Sequence, residues 1–136
     1  MKEQYVISKT LSKGLVKKGL RKGGWMYSWY KITMYESSDK KYKWELLESD
    51  FYSGVKEYYP APMPCELADV LPNVILYERC YCKLMIQKSV GNSFIVYYCN
   101  YSGIKVFNFY NESLAEAMGL MLEKLADEGI VNLKEV

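Results

Sequence analysis

The chain contains no histidine. That removes Ser–His and Cys–His nucleophilic dyads, histidine general bases and histidine metal ligands. Long apolar runs are missing too: no stretch approaches the roughly 20 apolar residues that a membrane-spanning helix needs. The opening MKEQYVISKT carries no apolar segment of signal-peptide length before its next charges. A cytoplasmic location is therefore expected, and in that compartment the four cysteines are expected as reduced thiols, not a disulfide framework. Phosphate-cradling loops are absent as well. There is no G-x-x-x-x-G-K-S/T segment, and Gly14, Gly19, Gly23 and Gly24 do not form G-x-G-x-x-G behind a strand. Neither a cofactor nor a metal is expected.

What is present suits one α+β domain over 1–136. Half of the residues are hydrophobic and a quarter are charged, as in ordinary globular proteins. The 14 tyrosines favour sheet, because an aromatic ring fits a pleated, half-buried surface. Net charge is only +2 but unevenly placed. Lys2, Lys9, Lys13, Lys17, Lys18, Arg21 and Lys22 crowd the N-terminal segment, whereas Glu112, Glu116, Glu123, Asp127 and Glu128 crowd the C-terminal one. This polarity would steer a partner or pair the protein with itself.

Leu11, Leu15, Val16 and Leu20 recur at near-helical spacing, which predicts a short helix over 5–20, with Ser8 as N-cap and Gly19 at the stop. Residues 25–35, WMYSWYKITMY, read as a strand with Trp25, Tyr27 and Trp29 on one face. A polar turn at 36–40 returns the chain as an antiparallel strand over 42–48, and 49–59 reads as a loop. In PAPMP (60–64), Pro60 and Pro62 hold their predecessors extended, and Pro64 suits the first turn of a helix over 65–71. NVILYER then leads towards the sheet.

Cys80 to Glu128 is the organising stretch. Strands are predicted at 80–88, 93–99 and 104–109, the second apolar on both faces and hence central. Leu114, Ala117, Met118, Met121, Leu122 and Leu125 make a helical apolar stripe. Ser113 and Glu116 carry the spacing of a capping box, and Gly129 marks the end. The expected architecture is an antiparallel sheet of about five strands, with a long C-terminal helix, an N-terminal helix and a short mid-chain helix packed on it.

The segments YVISKTLSKGLVKKGL, YPAPMPCELADVLP and NESLAEAMGLMLEKLADEGIV together resemble a family of small uncharacterised proteins encoded in phages and mobile elements of gut Bacteroidales-type bacteria. The shared features are structural: a Ser-capped opening helix, a Pro-Ala-Pro approach to a short helix ending near Leu-Pro, and an alanine-rich last helix. The resemblance implies a cytoplasmic accessory protein of a mobile element and implies no activity. The strands at 25–35 and 42–48 depart from the family pattern in being more aromatic.

Two constellations bear on chemistry. A four-residue loop at 89–92 would place Cys82 opposite Cys99, a geometry that, with Cys80 and Cys65, invites comparison with a soft-metal site. A two-residue Gly91-Asn92 turn would pair Cys82 with Tyr101 instead. No C-x-x-C knuckle occurs, and buried cysteines usually behave as small hydrophobes, so these read as core residues. Asp50, Glu57, Glu66 and Asp69 are scattered, with nothing to mark a matched acid and base. Binding remains. Lys9, Lys13, Lys17, Lys18, Arg21 and Lys22, beside Trp25, Tyr27, Trp29 and Trp44, form the candidate binding surface. The leading expectation is a non-enzymatic protein-interaction module, with a protein partner or self-association as a homodimer. The alternative is weak single-stranded nucleic-acid binding, with lysines tracking phosphates and rings stacking on bases.

Overall fold

In the computed structural model, residues 3–34, 41–49, 55 and 57–136 are described. The turn expected at 36–40, together with Lys2, Asp50 and Gly54, lies outside them. The chain is α+β: the described residues form two antiparallel sheets, of three and four strands, and three α-helices packed on them. The expected helices and antiparallel pairing are observed. The strands are divided between two sheets instead of being gathered in one of about five.

The first helix, α1 (Lys9–Lys17), starts where Ser8 predicts: the Ser8 hydroxyl accepts from the Leu11 N–H at 3.2 Å. It ends before Gly19, whose φ of 116° an L-residue would resist. Strands β1 (Tyr27–Met34) and β2 (Lys41–Glu48) pair antiparallel from Tyr27↔Glu48 to Met34↔Lys41. The other edge of β1 is taken by β3 (Tyr58–Pro60), in a stretch expected to be loop and turn. Pro60 can end such a strand because an edge does not require its missing N–H. Helix α2 (Pro64–Val70) follows with Pro64 in its first turn.

The second sheet runs in order β4 (Val74–Tyr77), β5 (Cys80–Lys88), β6 (Phe94–Asn100), β7 (Lys105–Asn111). Between β4 and β5 the turn is Glu78-Arg79, both at positive φ (50° and 66°). That is the tight-hairpin geometry usually made by Asn-Gly, so its residue types conceal it. Between β5 and β6 the loop spans five residues, 89–93, and Lys88 faces Phe94. Cys82 therefore faces Asn100, and Cys99 faces Lys83. Neither register expected from the loop is realised. Because side chains alternate along a strand, Cys82 and Cys99 point to opposite faces of the sheet. Among the described residues, no group of three or more Cys, Asp or Glu is placed to hold a metal ion.

Helix α3 (Leu114–Asp127) closes the inner face of this sheet. Ala117, Met118, Met121, Leu122 and Leu125 are buried with Ile75, Cys82, Val96 and Tyr98, and with Leu11 and Leu15 of α1. Helix α1 crosses α3 closely at Gly119: a Cβ there would lie 2.8 Å from both Ile7 and Leu11 side-chain carbons. A second, smaller cluster of Val6, Trp29 and Ala61 fills the space under the three-stranded sheet. Ser12, buried in α1, joins the two parts through its hydroxyl, which donates to the Pro60 carbonyl.

Candidate interaction surfaces

The ten residues expected to form one binding surface are dispersed. Trp25 precedes β1 and enters the main core at 4% exposure, while Trp29 fills the smaller cluster at 6%. Each indole N–H is satisfied internally, by the Arg21 carbonyl at 2.9 Å and the Ile7 carbonyl at 3.0 Å. Neither ring offers a face to a nucleobase. Tyr27 is half-buried against the Trp29 cluster. Trp44 is half-buried, tilted against Tyr59 with centroids 5.7 Å apart.

The lysines meet rings and carboxylates of their own chain. Lys9 lies over Trp44, Arg21 over Trp25, and Lys22 over Tyr58 and Tyr59. Lys18 pairs with Asp127 at 2.8 Å and with Glu123 at 3.4 Å, and the Asp127 hydrogen bond raises its pKa. The basic N-terminal and acidic C-terminal segments thus meet within the molecule, where α1 crosses α3. Lys13 and Lys17 remain exposed on α1.

Lys9, Trp29 and Trp44 do converge on one cavity of about 450 Å³, shared with Glu3, Ser8, Ser113 and Glu116. Ser8, Ser113 and Glu116 are committed to hydrogen bonds within the chain. The Glu116 carboxylate accepts from the Ser8 N–H at 2.7 Å and the Ser8 hydroxyl at 2.8 Å. Other carboxylates also hold structure. Glu66 accepts from the Met63 and Met26 N–H groups, and Glu57 from the Lys31 ammonium, which lowers its pKa. These carboxylates serve as caps and ion-pair partners, and no matched acid and base stands out among the described residues.

The outer face of the four-stranded sheet is different. Alternation along the strands turns Val74, Leu76, Tyr81, Met85 and Tyr110 away from α3, and all of them are exposed. Leu76 is 58% exposed and Tyr81 70%, and Tyr101, just beyond β6, is 92%. A shallow depression of about 320 Å³ lies among Val74, Tyr81, Lys83, Met85, Cys99 and Tyr101. Tyr97 forms the floor beside it, buried beneath the Lys105 ammonium, which sits 4.5 Å from its ring centroid. The sequence conceals this face because SFIVYYC is apolar on both sides, which suggests a covered central strand, whereas α3 covers one side only.

Among the described residues, no helix is long and apolar enough to cross a membrane. Comparison with family models, with curated proteins and with solved structures gives no match.

Proposed function

We propose that this chain is a non-enzymatic binding module that docks a protein partner on the outer face of its four-stranded sheet, in the mobile-element or phage setting that the resemblance implies. The observation that carries this reading is the exposed set Leu76, Tyr81, Met85 and Tyr101 on one face of the sheet, broken only by the lysine row at Lys83. Aromatic and methionine side chains with few charges among them are the composition of an interface centre. A sheet face this apolar is otherwise a liability in water, and a partner that covers it would remove that liability. The nucleic-acid reading is weaker, because Trp25 and Trp29, which would have stacked on bases, are core residues.

Panning a random-peptide library on the folded protein, with counter-selection on the triple variant Leu76→Ser, Tyr81→Ser, Tyr101→Ser, tests this. These positions are exposed, so the variant should keep its thermal transition. Enriched peptides should bind the parent and lose the variant. Peptides that bind both equally would place the working surface elsewhere.

A further inference from the structure

Resting on that reading, we infer the chemistry of the partner: an acidic polypeptide segment whose carboxylates meet Lys83 and Lys105, not a second copy of this chain. The register supplies the argument. Lys83 of β5 faces Cys99 of β6, and Cys99 faces Lys105 of β7, so the two lysines stand in one row across three strands. At the usual spacing of strands their backbones are about 10 Å apart. The rows on either side are apolar or aromatic: Leu76 beside Tyr81 on one flank, Met85 beside Tyr97 on the other.

No Asp or Glu occupies an outward position on β4, β5, β6 or β7. Lys105 is held over the Tyr97 ring, and neither lysine is ion-paired to a described carboxylate. Covering this face with an apolar surface would strand two ammonium groups away from water, at a cost of several kcal/mol per ion. A partner that covers it must therefore bring carboxylates to the lysine row and apolar side chains to the flanks. A second copy placed face to face would bring two more lysines and no acid, which is the like-charge arrangement that disfavours a partner. Single-stranded nucleic acid has the anionic charge, but two lysines are few beside the six to ten phosphate contacts of a typical binder.

The test uses two dodecapeptides, one alternating aspartate with leucine and tyrosine, the other carrying lysine in place of aspartate, alongside oligo-dT. Backbone amide shifts report the site, and sedimentation velocity reports self-association. The acidic peptide should shift the amides of Tyr81, Lys83, Cys99 and Lys105 and bind at least about tenfold more tightly than the lysine peptide. The double variant Lys83→Glu, Lys105→Glu should reverse that preference while keeping the dispersed spectrum of the fold. Equal binding of both peptides at this face would overturn the charge inference and leave the docking surface standing. Self-association through the face would do the same. Shifts at this face with neither peptide but with oligo-dT would overturn the charge inference and the protein-docking reading together, as would no shift with any probe and no self-association.

Discussion

Glu116 closes the N-terminus of a helix to which it does not belong: its carboxylate accepts from both the N–H and the hydroxyl of Ser8, the N-cap of α1. The capping-box spacing of Ser113 and Glu116 is half realised, since Ser113 accepts from the Glu116 N–H at 3.2 Å. The reciprocal half is redirected across 108 residues of sequence. A negative charge at the start of α1 also suits the helix dipole.

Glu116→Ala should destabilise the protein by about 2–3 kcal/mol, because it removes two hydrogen bonds to a charged acceptor. Ser8→Ala should cost about 1 kcal/mol or more as a lost cap. Urea unfolding of both single variants and the double variant should give a coupling of about 1 kcal/mol. Strict additivity would show that the pair is not coupled.

At the crossing of α1 and α3, Gly119 permits a contact that a side chain would block. Alanine is normally better than glycine in a helix by about 1 kcal/mol. Here Gly119→Val should instead lose about 2 kcal/mol, because Ile7 and Leu11 are themselves buried and have little room to yield. Thermal unfolding measures this directly. A variant as stable as the parent would mean that the crossing can open without loss.

Tyr98 is fully buried under α3, and its hydroxyl donates to the Pro72 carbonyl at 2.7 Å. Burial raises its pKa well above the ordinary tyrosine value. Between about pH 10 and that raised pKa the native state holds a proton that the unfolded state has released. Its contribution is thus complete below about pH 10 and declines as pH rises beyond it. Stability measured from neutral to strongly alkaline pH should fall less steeply in Tyr98→Phe than in the parent. The variant should also lose about 1 kcal/mol at neutral pH through the orphaned carbonyl. Parallel profiles would sink this assignment.

Tryptophan emission should be mostly blue-shifted and resistant to acrylamide, because Trp25 and Trp29 are buried. The quenchable fraction should come from Trp44 and disappear in Trp44→Phe. Oligo-dT should leave the emission of that variant unchanged. A salt-sensitive quench there would require Trp25 or Trp29 to open to solvent.

The four thiols should react with a disulfide reagent in the order of their exposure. Cys65 is exposed, Cys80 and Cys99 are partly so, and Cys82 is buried with its pKa raised by that burial. Since the thiolate is the nucleophile, Cys82 should react last, at a rate set by unfolding. Mass mapping of partially labelled protein gives the order, and early labelling of Cys82 would contradict the β5–β6 register.

Local chemistry determined a large part of this protein before any contact was known. The 3.6-residue stripe from Leu114 to Leu125, the caps at Ser8 and Ser113, Pro64 at a first turn and the alternating strands all act within a few residues, and each appears where those rules place it. What the tertiary structure decided lies between distant segments. One loop residue more than expected set the β5–β6 register and turned Cys82 and Cys99 to opposite faces. The Glu78-Arg79 turn and the short strand Tyr58–Pro60 exist because their neighbours pair, although neither carries the residue types that announce such structure. Trp25 and Trp29, two positions of one expected face, went to different cores because β1 begins only at Tyr27. Periodicity shows that a strand has faces. Whether a face meets a helix or water depends on which element packs against it, and α3 covers only one side of this sheet.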